Sequence, residues 1–502
     1  MRIYSYLSVA IIFLIAILIQ THMLINWDVS FLMHASQRFL AGGDYLHQFF
    51  ETNPPMIIYI YTLPVMFAKL FSLGFPQALL IFILSLVVLS LYLCNFLLKN
   101  IFTTEKKITE IILPVLAIIF LILPLYEFGQ REHLLTIFVI PYLFLCVLRL
   151  QEKAIDPYFA SIVGLLAGLG FVIKPYFVLP LILVECYLWI ARKKIWGWYR
   201  PEIIAILLVY LSYIISVFLI FPEYINTVIP LLLKLYYAGF SYPYQVLILQ
   251  GAFIYVALVF FVSLFFLRVE YHRYLYTVFS IATFGFAVIY LQERTNWFYH
   301  LLPAMSVAIL LSVLIFILYF IPRKNYLLII AAALVLLFYP VKGMIYVTGY
   351  MLNKDNDRPR LELLAFLQKQ PAANCYFLST NGYAFPILEY TQQVAVSRFA
   401  NYWWLPGILA LSNSVHDVQQ QHELDSLKNY FIDMVVDDLV KKKPRWILVD
   451  NRPKNTELHA KNIDYVALFS ENASFKKIWK NYQYQFDVGY YHIYKRLSSV
   501  VA

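Results

Sequence analysis

Long apolar runs recur from the start of the chain to about residue 342, separated only by short basic or aromatic stretches. A run of about 17–25 such residues is the length of a membrane-spanning helix, the form in which every backbone polar group is paired within its own segment. Composition agrees: 62% of the 502 residues are hydrophobic and 14% charged, against roughly 45–50% and 25% in soluble domains. The net charge of +10 comes from Lys and Arg clustered between apolar runs, which read as topology signals and not as a nucleic-acid face. Cys94, Cys146, Cys186 and Cys375 show neither a disulfide framework nor metal spacing.

Charge also sets the expected orientation. Lys99, Lys106 and Lys107 form one cluster, Arg149 and Lys153 the next, then Arg192 to Arg200, Arg268 and Arg273, and Arg323 and Lys324. If all face the cytoplasm, the spans between them pair up. The segment Met56 to Leu73 is then not a span. Its proline start, Pro64, Lys69 and many aromatics fit a helix lying in the outer interface or partly re-entering the membrane. The expected spans are 5–26, 77–98, 108–125, 133–150, 158–173, 175–191, 202–221, 247–267, 274–291, 300–321 and 325–342, about eleven in all, with the N-terminus inside and the C-terminus outside. Residues 4–25 read as a retained first helix, since the run is long enough to span and no small-residue cleavage site follows.

Beyond residue 342 the pattern changes to mixed charge. Asn374 to Ser379, Gln393 to Ser397, Arg445 to Asp450 and Tyr482 to Lys495 read as strands, Arg358 to Gln370 and Leu424 to Lys442 as amphipathic helices. The expectation is a transmembrane domain over 1–342 and a small soluble α/β domain over 343–502, on the periplasmic side. The latter holds no glycine-rich nucleotide loop and no zinc spacing.

Against this apolar background the outer-face polar residues need a reason. Asn26-Trp27-Asp28 opens a loop that closes at Glu51-Thr52-Asn53-Pro54-Pro55, and carboxylates at the mouth of a membrane bundle are costly unless they have partners or work to do. The same face receives the turn Tyr126 to His133, the break at Lys174-Pro175, the loop 222–246 and the turn Gln292 to His300. A positioned carboxylate such as Asp28 can take the proton of an attacking hydroxyl. Arg131, Lys174 or Arg294 can hold the charge developing on a leaving phosphate. Plainer readings stand beside these: Asp28 as a helix cap, Glu51 as a turn residue, Arg131 with Glu132 as a pair capping the next span, Lys174 as a snorkelling lysine, and His300 as a packed histidine in an aromatic belt.

A first span followed at once by an outer-face acid, then a second acid with Pro-Pro and an interfacial helix, then a charged outer turn, resembles the membrane glycosyltransferases of the GT-C class. The bacterial branch related to protein O-mannosyltransferases and the aminoarabinose transferase of lipid A is the most similar, over roughly residues 1 to 340. The resemblance implies a polytopic α-helical fold that moves a sugar from a polyprenyl-phosphate donor to a lipid, glycan or protein acceptor, on the periplasmic face of a bacterial inner membrane and with inversion. It implies Asp28 as catalytic base with Glu51 beside it. Arg131, Glu132, His133, Lys174, Arg294 and His300 become substrate contacts. Where that class often has Asp in the second turn, this chain has Glu132; Asp28-Val29-Ser30 is not a DxD motif, so metal-independent chemistry is expected, with a divalent cation left open and no other cofactor. The alternative is a transporter or flippase of envelope lipids or glycans using the same acids as a relay, against which stand charges in loops and no visible inverted repeat. A non-enzymatic envelope scaffold is a further alternative.

Overall fold

The computed structural model describes residues 2–193, 199–268, 272–324, 330, 358–382, 385–414, 417–453, 458 and 463–497. From the N-terminus run α1 (Arg2–His22), α2 (Trp27–Leu40), α3 (Met56–Phe71), α4 (Phe75–Ile101), α5 (Lys106–Leu121), α6 (Arg131–Leu150), α7 (Pro157–Phe171), α8 (Val178–Arg192) and α9 (Pro201–Ile220). Consecutive helical turns over 224–240 then lead to α10 (Gly251–Phe266), α11 (Arg273–Glu293) and α12 (Phe298–Ile315). Each expected span up to 300–321 falls on one of these apolar helices; of the expected span 325–342 only residue 330 is described, and the expected domain boundary at 342/343 lies outside the described residues. Among the described residues seven helices are long and apolar enough to cross a membrane, by length and composition.

α6 is buried on every side from Arg131 to Leu148 and forms the axis of the bundle, packed by α4, α7 and α12. A helix apolar all round belongs in such a place. α7 and α9 pack backbone to backbone: a Cβ on Gly164 would meet the Glu202 carbonyl oxygen at 2.3 Å, so only hydrogen fits there. Gly164→Ala is expected to cost about 1–3 kcal/mol through overpacking, read as a lowered thermal midpoint of the detergent-solubilised protein; an unchanged midpoint would mean that the two helices part freely.

Two stretches expected as loops are helical. The polar stretch after Asn26 folds as α2 because the Asn26 side chain accepts the Asp28 backbone N–H at 2.9 Å and the first turns of the helix are buried on all sides, with Val29, Phe31, Leu32, Met33 and Ala35 among the buried residues. Within 222–246, the turns over 224–240 bury Tyr224, Val228, Leu231, Leu235 and Phe240 at helical spacing.

The C-terminal region contains a five-stranded sheet of order β2-β1-β3-β5-β4, with β1 (Asn374–Leu378), β2 (Val394–Ala395), β3 (Trp446–Asp450), β4 (Tyr482–Val488) and β5 (Tyr491–Arg496). β1 runs parallel to β2 and β3, while β5 is antiparallel to both β3 and β4. The single run expected over Tyr482 to Lys495 is a hairpin turned at Gly489, which has a φ of +56°. Polar contacts fasten this region onto α2 and the segment after it. Arg38 donates from Nη1 to the Ser397 carbonyl and from Nη2 to the Ala395 carbonyl, both at 2.7 Å. Arg398 is held between Asp437, Asp438 and the Leu46 carbonyl. Phe50 N–H donates to the Arg398 carbonyl at 2.7 Å, and Phe50 pairs with Phe399 as an isolated parallel β-bridge.

Candidate functional site

Helix ends and connecting segments converge on one cavity of about 910 Å³. Asp28 in the first turn of α2, Glu51 before α3, Glu127, Gln130 and Arg131 at the start of α6, Lys174 between α7 and α8, and Glu293 and His300 at the facing ends of α11 and α12 all line it. Part of the lining is apolar: Ile214, Val217 and Phe218 of α9, and Ile225, Ile229, Leu232 and Leu233 from the turns that follow. Asn381, Gly382, Asn401 and Trp403, from the loops after β1 and β2, complete it. These four had no signal in the sequence, being strand-end residues far from every membrane loop.

Asp28 and Arg131 form its centre. The Arg131 Nη2 donates to Asp28 Oδ2 at 2.6 Å, and Gln130 Nε2 approaches the same oxygen at 3.4 Å. Both partners are buried, Arg131 to 2% exposure. Asp28 Oδ1 accepts no hydrogen bond among the described residues, and neither Nε nor Nη1 of Arg131 has a hydrogen-bond partner. Asn26 orders this end of the site: its amide donates to Glu127 Oε2 at 3.0 Å while its carbonyl accepts Gln130 Nε2 at 3.0 Å. Glu51 Oε1 accepts the backbone N–H of Asn53 at 2.8 Å and the Asn53 side chain at 2.5 Å.

A second cluster surrounds Lys174. Its Nζ donates to Glu132 Oε1 at 2.5 Å and Glu293 Oε1 at 3.1 Å, and lies 3.4 Å from His300 Nε2. His300 Nδ1 lies 2.9 Å from Glu293 Oε2 and is hydrogen-bonded to the Thr295 hydroxyl. Tyr176 donates to Glu293 and Thr295 bonds His300.

The other expected contacts are placed differently. Glu132 is fully buried behind the lining, where it anchors Lys174. His133 accepts the Gly129 N–H on Nδ1 at 2.9 Å and meets the Phe120 carbonyl through Nε2 at 2.6 Å, so both ring nitrogens are used in the fold and none is left for a substrate. Gly129, at a φ of +87°, supplies the turn that makes this bond and lends its carbonyl to the Tyr61 hydroxyl. Arg294 does not line the cavity; it takes the left-handed C-cap of α11 and stacks on the Tyr244 ring at 5.1 Å. A helix C-terminus favours a cation, which is reason enough for Arg there.

Two carboxyls outside the spans are pushed upward. Burial raises Glu51 to about 7, helped by the charge of Asp28 and opposed by Arg131 and Asn53. Burial raises Glu127 to about 8, with the charges of Glu132 and Asp28 adding to it.

No family model matches the chain, and no curated protein matches it. Two crystal structures of ArnT from Cupriavidus metallidurans do share its fold. The one bound to undecaprenyl phosphate aligns with a TM-score of 0.57 at 14% identity, covering 100% of this chain and 98% of that one. The one in the apo state aligns with a TM-score of 0.54 at 16% identity, covering 98% of each. The chain is therefore a polytopic helical membrane protein with the GT-C-like fold of ArnT, which extends through the small C-terminal sheet region.

Proposed function

We propose that this protein transfers a sugar from a polyprenyl-phosphate carrier to an acceptor hydroxyl on the periplasmic side of a bacterial inner membrane, with inversion at the anomeric carbon. The observation that carries the reading is the Asp28–Arg131 pair at the polar end of a cavity that α9 and the turns over 224–240 line with apolar side chains. Arg131 brings a buried guanidinium charge to this end of the cavity, and Asp28 keeps one carboxylate oxygen that accepts no hydrogen bond among the described residues, for a hydroxyl. In the proposed reaction the acceptor oxygen attacks the anomeric carbon as its proton passes to Asp28 Oδ1, and the sugar–phosphate bond breaks with its electrons leaving on the phosphate oxygen beside Arg131. The apolar side chains of α9 and of 224–240 suit a polyprenyl chain. The solved relative with undecaprenyl phosphate bound in the same fold supports that choice of carrier. The Lys174 donors are all engaged, so its part is to keep positive charge near the phosphate, and Glu51 is placed to meet the acceptor or the donor sugar.

The test supplies the purified protein in vesicles with a radiolabelled polyprenyl-phosphate sugar and a lysate of envelope lipids and glycans. Consumption of the donor with release of polyprenyl phosphate is expected; label that crosses the bilayer without cleavage would turn the reading to a transporter.

The raised carboxyls give this site a pH dependence. Below their pKa values Glu51 and Glu127 are neutral beside the bound phosphate; above them they ionise and repel it. Affinity for polyprenyl phosphate should therefore be full below about pH 7 and fall by up to about tenfold per pH unit per group above pH 8. Binding titrations across this range, repeated with Glu51→Gln and Glu127→Gln, measure it. A flat profile in the wild type would mean that neither carboxyl faces the phosphate.

A further inference from the structure

We propose that Glu132, Glu293 and His300 form a cation pocket whose resident cation is the Lys174 ammonium, a tethered charge seated where a divalent metal ion would otherwise bind. The three side chains come from the first turn of α6, the last residue of α11 and the first turn of α12, and all are buried. Their ligand atoms lie within 4.8 Å of one another. Around a zinc ion with ligands at about 2.1 Å those atoms would be about 3.4 Å apart, so inward shifts of under about 1 Å each would close the shell. Two carboxylates and an imidazole suit zinc, manganese or iron. Glu132 Oε2 has no hydrogen-bond partner and lies 4.0 Å from Arg131 Nε, so Oε1 is the oxygen it brings to the pocket.

Lys174 stands in the way. Its three N–H bonds match the same three side chains at 2.5, 3.1 and 3.4 Å, which is the arrangement a small cation takes among its ligands. An ion could enter only by expelling an ammonium that its own backbone holds in place, and such a tether gives the lysine a high effective concentration against any free metal. The chain thus provides internally, and irrespective of metal supply, a charge of the kind that a bound metal would bring. The pocket is independent of the sugar-transfer reading: failure of the metal test leaves that reading untouched, and the reverse holds as well.

The experiment equilibrates the purified full-length protein with Co²⁺ and reads bound metal by mass spectrometry and ligand-field absorbance. Wild type should retain essentially none at this site. Lys174→Ala, which removes the charge and opens the space, should retain one ion per chain with the visible bands of a nitrogen and oxygen site, and lose it again when His300→Ala is added. Lys174→Met, which removes the charge but fills the space, should retain none. If Lys174→Ala does not survive solubilisation, zinc in the growth medium should restore its yield and should not restore that of Lys174→Met. Tight cobalt at this site in the wild type, a folded Lys174→Ala that takes no ion, or an absent zinc rescue would each overturn the proposal.

Discussion

Asp28→Asn is expected to cut sugar transfer by about 10²–10⁴-fold, the usual contribution of a general base, while polyprenyl phosphate still binds. The asparagine keeps the size of the side chain and can still accept the Arg131 hydrogen bond through its carbonyl, so the 2.6 Å contact has a replacement. What it cannot do is take a proton. With the carboxylate gone, Arg131 faces the phosphate with its charge uncompensated, so affinity for the carrier should hold or tighten while kcat falls. Measuring kcat and the dissociation constant for polyprenyl phosphate on the same preparation separates the two effects. A variant that transfers at the wild-type rate would remove Asp28 as base. One that loses carrier binding and turnover together would make it a positioning residue for Arg131.

Arg131→Met should be the most damaging single change to the fold of the site. It strips the partner from buried Asp28 and removes the cation 4.0 Å from Glu132, and breaking a buried pair from one side typically costs about 3–5 kcal/mol. Thermal unfolding in detergent should show the drop. The double variant Asp28→Asn with Arg131→Met removes the orphaned charge as well and should be more stable than Arg131→Met alone, since the pair is coupled. Equal losses in the single and double variants would show that the charge of Asp28 does not depend on Arg131. Binding of polyprenyl phosphate is expected to fail in both, because the positive charge of Arg131 is gone in both.

The helical bundle was legible because a span announces itself by length and apolarity, so ten of the expected spans fall on helices. The strands at Asn374 and Trp446 were legible as short continuous apolar runs, and the one at Tyr482 by its alternation of aromatic and polar residues. α2 was hidden because it is short and carries Ser30, His34, Ser36, Gln37 and Arg38, a composition that reads as loop when hydropathy is the signal. Asp28, Glu51, Arg131, Lys174 and His300, which line one cavity, were singled out by asking which polar groups an apolar chain keeps. The same question placed His133 and Arg294 among the substrate contacts. It failed there because local sequence cannot distinguish a polar group facing a cavity from one bonded to backbone or stacked on a ring. Glu127 and Glu293 stood in turns already singled out, and the two acids against one arginine in Tyr126 to His133 were the available sign of a carboxyl held neutral. Asn381, Asn401 and Trp403 reach the cavity only through the tertiary fold.

The single bridge between Phe50 and Phe399 joins two chain segments that are distant in sequence. Glu51 follows one end of it directly and Asn401 lies two residues past the other, so an acid of the membrane portion and an amide of the sheet region hang from a common hinge pin. The 2.7 Å backbone hydrogen bond from Phe50 to Arg398 therefore keeps the Glu51 edge of the cavity in register with the Asn401 edge, although about 350 residues of chain separate them.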